Sequence, residues 1–184
     1  MRSGLFRQTL KKKIIFYLII VFMILGLLQI SGDIRMHLRQ RETFIENFAS
    51  TSCAVSEWMY QVVQNPDNSD KVATGLSWSH NCIEDLRTSI RYAPEYTILW
   101  KQRNVLLYAN PYLDPALSYV KGEIDNILRE YRETNMLSSK SIAYIKSTAD
   151  AFASFSESID NSHLSQKALE SAIDSLCSSI YFYS

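Results

Sequence analysis

The run IIFYLIIVFMILGLLQI at 14–30 constrains this chain more than any other feature, because a stretch this apolar has to be taken out of water. As a helix rising about 1.5 Å per residue it spans roughly 25 Å, close to the ~30 Å hydrocarbon core of a bilayer. Leu10 on one side and Ser31 and Gly32 on the other extend it. Its Ile, Leu, Val and Phe residues each favour insertion by about 0.3 to 0.6 kcal/mol near the bilayer centre. Gln29 stands near one end, where its amide reaches the interface. A transmembrane helix over 14–30 is the expectation.

The charges on either side set its direction. Lys11, Lys12 and Lys13 precede the run, with Arg2 and Arg7 further out and no acid before Asp33. Beyond the run, Arg35, Arg39 and Arg41 are interleaved with Glu42 and Glu46. The excess of Lys and Arg before the run predicts a cytoplasmic N-terminus at 1–13 and an extracytoplasmic domain at 31–184. A cleaved signal peptide shares the basic flank and apolar core. Its core is usually 7 to 15 residues and ends in a small-x-small site, which Gln29-Ile30-Ser31-Gly32-Asp33 does not offer. An uncleaved signal anchor, spanning once, is therefore expected, and no Cys follows closely enough to suggest a lipoprotein.

The remaining 150 or so residues amount to one domain, large enough to bury a core. Five of the 19 basic residues precede the run, leaving 14 against 19 acids, a net charge of about −5. That balance gives no electrostatic footprint for nucleic acid. Only 5 Gly and 4 Pro occur in the chain, which favours long helices over many short strands. There is no internal repeat and no N-x-Ser/Thr acceptor. The fold class expected is mostly α, an antiparallel bundle of four to five helices.

The apolar spacing places those helices. Ile34, Leu38, Arg41, Ile45, Phe48, Ser52, Val55, Met59 and Val62 form one stripe at helical period, interrupted by Arg41 and Ser52. The helix could continue from the membrane with a bend at Ser31-Gly32-Asp33. The stripe fits either a core-facing bundle helix or a parallel coiled-coil dimer seam, and the core-facing helix is the expectation. Asn65-Pro66-Asp67-Asn68 signals a turn, with Ser69 or Asp70 as the expected cap of the next helix. Val72, Leu76, Ser79, Ile83, Leu86 and Ile90 repeat the period until Ala93-Pro94 stops it.

Two long helices joined by a short turn form an antiparallel hairpin. With the turn centred near residue 67, Cys53 and Cys82 lie about equally far from it, as do Trp58 and Trp78. The register therefore makes a Cys53–Cys82 disulfide a candidate, contributing about 2 to 4 kcal/mol in an oxidising compartment. The alternative is two buried free thiols. Cys177 is then odd, either buried and free or paired with another chain.

The stretch Thr97-Ile98-Leu99-Trp100, Lys101-Gln102-Arg103-Asn104, Val105-Leu106-Leu107-Tyr108 is the least helical. Two apolar runs around a polar turn allow a β-hairpin at 97–108, although an irregular helical connection is the expectation. The wording TILWKQRNVLLYANP resembles the opening hairpin of PAS and Cache sensor domains, over about fifteen residues. Arg103-Asn104 stands where those families place Gly, and their further long strands have no counterpart downstream. The resemblance implies a ligand-sensing fold.

Pro111 or Pro115 is expected to open the next helix, with Leu117, Val120, Ile124, Ile127 or Leu128, and Tyr131 on its stripe and an end near Met136-Leu137. Gly122 costs that helix about 1 kcal/mol relative to Ala and points to a close contact. A helix over 138–160 carries Ile142, Ile145, Ala149, Phe152 and Ile159, and a last one carries Leu164, Ala168, Ala172 or Ile173, Leu176 and Ile180. From Ser138 onward Ser and Ala dominate, fit for close helix approach or for a partner face. The terminal Tyr181, Phe182 and Tyr183 form an aromatic patch, a candidate partner contact.

Nothing in the sequence assembles a catalytic centre, a cofactor site or a metal site. His37, His80 and His163 lie on separate segments, and His80-x-Cys82 supplies two ligands where zinc takes three or four. There is no phosphate loop, nucleophile elbow, HExxH or EF-hand loop. The acids Glu84-Asp85 and Glu130/Glu133 fit solvated helix faces. The expected function is that of a single-pass membrane-anchored scaffold or assembly subunit, with a protein partner or a second copy of itself. The alternative is an extracytoplasmic ligand-sensing module, four-helix or PAS/Cache-like, signalling through a partner. With one span, any signal has to pass through that helix or a partner, which favours the scaffold.

Overall fold

The computed structural model describes the backbone of residues 2–91, 95–98, 101–104, 111–160 and 164–181, and the side chains of 15–32, 34–36, 38–91, 111–160 and 164–180. The chain is mostly helical: α1 (Arg2–Gln64), α2 (Ser69–Arg91), α3 (Leu113–Thr134), α4 (Ser139–Ile159) and α5 (Gln166–Tyr181), with short strands β1 (Glu95–Ile98) and β2 (Lys101–Asn104) between α2 and α3. It divides into two units, Met1–Gln40 and Arg41–Ser184.

In the first unit α1 is long and apolar enough to cross a membrane. Its apolar side chains from Ile15 through Phe22 to Ile30 are about half exposed or more, apart from the half-buried Ile20, with no core of their own. Helix geometry runs unbroken through Ser31-Gly32-Asp33. Ser31 donates to the Leu28 carbonyl at 2.9 Å, within its own helix.

The second unit begins at Arg41. Ile34 and Leu38 remain 55% and 48% exposed, whereas Arg41, Ile45, Phe48, Ser52, Val55, Met59 and Val62 are buried. The two serines of the stripes are satisfied locally: Ser52 donates to the Phe48 carbonyl and Ser79 to the Gly75 carbonyl, each at 2.8 Å. All six stripe residues expected in α2 are buried, joined by Gly75. Gly75 has a packing reason: a Cβ there would stand 2.5 Å from Val62 Cγ2 and 2.9 Å from the Trp58 carbonyl oxygen. At the same contact Trp58 and Trp78 stack, with ring centroids 5.7 Å apart and planes 14° from parallel, as the hairpin register predicts. The cap of α2 is Asn68 rather than Ser69 or Asp70, its Oδ1 accepting from Lys71 N–H at 3.1 Å.

The expectation of an irregular connection after α2 is corrected. β1 and β2 pair antiparallel, Glu95 opposite Asn104 and Ile98 opposite Lys101. The polar run Lys101–Asn104, read as the turn, is the second strand. Tyr96-Thr97-Ile98 favours extended backbone, and a two-stranded ribbon tolerates a charged partner strand because its outer edges are unpaired. Val105 to Tyr108 lies outside the described residues.

Helix α3 starts at Leu113, with neither Pro at its first position, and ends at Asn135, whose φ of 53° closes the helix in the left-handed conformation. Its expected stripe is buried, together with Leu113 and Ala116. Gly122 meets nothing within 4 Å, so the expected close contact is absent. Ser138 caps α4, accepting from Ser141 N–H at 3.1 Å. In α5, Leu169 takes the buried place expected of Ala168, alongside Ile173, Leu176 and Ile180.

Contacts between helices run in a consistent order. Arg87–Asp114, Glu84–Lys121 and His80–Asp125 join α2 to α3, one numbering falling as the other rises, so the two are antiparallel. Tyr60 reaches Asp150 and Phe48 meets Phe155 edge-on, joining α1 to α4. Helix α5 packs on α4 and α3.

Candidate functional site

Cys53 and Cys82, the candidate pair, are free thiols, as is Cys177. The level is right and the angle is wrong. At about 100° per residue, Cys82 sits some 40° around α2 from Trp78, but Cys53 sits about 140° around α1 from Trp58. Cys53 therefore turns toward α4, in a cleft of about 350 Å³ lined by Glu46, Ala49, Ser50, Ser156, Glu157 and Asp160. Its Sγ lies 3.8 Å from Glu57 Oε1. Burial and then Glu57 push its thiol pKa up, which keeps it protonated and slow as a nucleophile. Cys177 is buried, and burial with Asp174 raises its thiol to about 11. Phe182 and Tyr183 lie outside the described residues, as does the side chain of Tyr181. Among the described residues no three of His, Cys, Asp and Glu are placed to hold a metal ion.

Two grooves on the Ser- and Ala-rich half were not foreseen as separate features. The first, of about 240 Å³, runs between α4 and α5 and is lined by Ser154, Ser158, Ser175 and Ser179 around Ala151 and Ala172. Two of its hydroxyls are directed to their own helices: Ser158 to the Ser154 carbonyl and Ser179 to the Ser175 carbonyl, at 2.7 and 2.9 Å. The small side chains make the groove a seam that another helix can approach closely.

The second groove, of about 450 Å³, lies between α3 and α4. Tyr119, Glu123, Asn126 and Glu130 line one wall at helical spacing; Lys140, Ser141, Tyr144 and Ser147 line the other. Glu130 accepts from the Ser141 hydroxyl at 2.8 Å, and Asn126 Oδ1 accepts from Arg129 at 2.9 Å. Glu123 has no hydrogen-bond or ion-pair partner among the described residues. The Tyr144 hydroxyl is shielded from water and makes no hydrogen bond of standard geometry among the described residues, although the Thr148 hydroxyl acts on it. Burial pushes the Tyr144 phenol far above its ordinary range, helped by Tyr119 and Glu123 and opposed in part by the Thr148 hydroxyl.

Arg41 is the other buried polar group with an unmet donor. It is 8% exposed, gives Nη2 to the Leu164 carbonyl at 3.0 Å, and leaves Nε without a partner. Glu84, read as a solvated acid, also bridges Lys121 at 2.8 Å and Arg87 at 3.3 Å, and the Lys121 ammonium holds its carboxyl below the ordinary value. Residue spacing within α2 carried no signal of this, because the partner lies on α3. No known protein family, curated protein or solved structure matches the chain.

Proposed function

We propose that the chain is a single-pass membrane protein whose helices beyond residue 40 form an antiparallel bundle serving as a scaffold or assembly subunit at the outer face of the membrane. The observation that carries the reading is the apolar surface of 15–30, exposed along its whole length and preceded by three lysines. In water that surface is far larger than a soluble monomer leaves uncovered. In a bilayer it is the matched surface, and the basic flank keeps residues 1–13 on the cytoplasmic side.

The scaffold role draws support from the α4–α5 seam, whose small residues leave room for a second helix. Purification of the full chain in mild detergent after crosslinking tests it, with Ser175→Trp filling the seam. The reading expects a defined complex, with itself or with a partner, that Ser175→Trp dissolves while the helix content stays unchanged. A strictly monomeric protein, or a complex indifferent to Ser175→Trp, contradicts the seam as the assembly surface.

The α3–α4 groove favours a second reading, a ligand-sensing module acting through a partner. Its volume falls in the range of small-molecule sites, and its polar groups include an acid and a phenol without partners.

A further inference from the structure

We propose that the α3–α4 groove binds a small organic amine, its ammonium held by Glu123 between Tyr119 and Tyr144. Three observations converge there. The groove has room for a small ligand, and its lining carries two carboxylates, Glu123 and Glu130, against one ammonium, Lys140. Lys140 stands in the first turn of α4, about one helical turn from Tyr144, so it leaves the Glu123 end of the groove to a cation. Glu130 is occupied by Ser141, whereas Glu123 is committed to no donor among the described residues.

The two tyrosines fit the same ligand. A phenol ring presents its negative face to an ammonium. The Tyr144 oxygen, lacking a hydrogen bond, is an acceptor for an N–H donor once the wall opens enough to admit one. An anion fits poorly, meeting two carboxylates, and a purely apolar ligand leaves both Glu123 and Tyr144 without partners. The site goes beyond the scaffold reading and does not depend on which side of the membrane the helices occupy.

The test is calorimetric titration of the full chain in detergent with 1-aminobutane, beside 1-butanol and butanoate as neutral and anionic counterparts. Saturable binding of the amine at about 1 mM or tighter is expected, with the alcohol and the acid at least about tenfold weaker. Glu123→Gln is expected to weaken the amine by about ten- to a hundredfold, as for loss of a charge-assisted hydrogen bond. Tyr144→Phe is expected to weaken it severalfold. Glu157→Gln, in the cleft beside Cys53, is expected to leave it unchanged, and the thermal melt of each variant verifies its fold. Absence of saturation to about 20 mM, equal binding of 1-butanol, or unchanged affinity in a folded Glu123→Gln overturns the proposal.

Discussion

At Gly75 the missing side chain is what lets α1 and α2 meet, and the two flanking indoles show how close the meeting is. A methyl at this position would press on Val62 and on the Trp58 carbonyl, and the carbonyl cannot move out of its way. Gly75→Ala is expected to destabilise by about 1 to 3 kcal/mol in denaturant unfolding, despite the better helix propensity of Ala. Gly122→Ala, into open space, should gain up to about 1 kcal/mol in the same measurement. Tyr60 and Asp150 give a second residue-scale test. Tyr60 donates to Asp150 at 2.5 Å, and the carboxylate raises its phenol to about 12. Asp150 is held below its ordinary value by Tyr60 first and Lys146 second. A raised phenol stabilises the fold fully below about pH 10 and loses that contribution as pH rises through its folded value. A lowered carboxyl stabilises above about pH 4 and loses its contribution as pH falls through its own lowered value. The stability gap between the wild type and Tyr60→Phe should therefore shrink as the pH is taken from about 9 toward 12. A gap that stays constant over that window contradicts the pairing.

The helices were legible in the sequence because burial in them follows the 3.6-residue period. Val72 to Ile90 and Leu117 to Tyr131 were placed by spacing alone, and all of them are buried. Less legible was whatever depends on a neighbouring element. The level of Trp58 with Trp78 follows from counting along a hairpin, and the angle of Cys53 from its five-residue spacing to Trp58, but the cleft it enters needs α4. The β-hairpin, offered only as the alternative and over 97–108, pairs in another register for a related reason: the charged Lys101–Asn104 has weak strand propensity and extends because β1 pairs with it. The unpartnered Glu123 and Tyr144 carried no signal either, since a solvated helix face and a groove wall have the same spacing in one helix. Helix caps belong to this scale. Asn68→Ala and Ser138→Ala each remove a side-chain acceptor for a first-turn N–H and should each cost about 1 kcal/mol, with helix content of the folded protein unchanged by circular dichroism.

For the molecule as a whole, two surfaces ask for different surroundings. The apolar residues of 15–30 lack any core to cover them, while the residues from Arg41 onward bury their own stripe and carry most of the acids. A bilayer around the first and water around the second satisfies both, and in the proposed arrangement the lysines before the run set the direction. The central claim is that the second surface lies outside the cell's cytoplasm. Cys53, exposed on α1, makes that claim measurable when Cys82 and Cys177 are replaced by Ser. Intact cells bearing this single-thiol chain are treated with a membrane-impermeant maleimide, at a pH high enough to offset the raised thiol pKa. The account predicts labelling of Cys53 without permeabilisation; labelling only after the membrane is broken would contradict it.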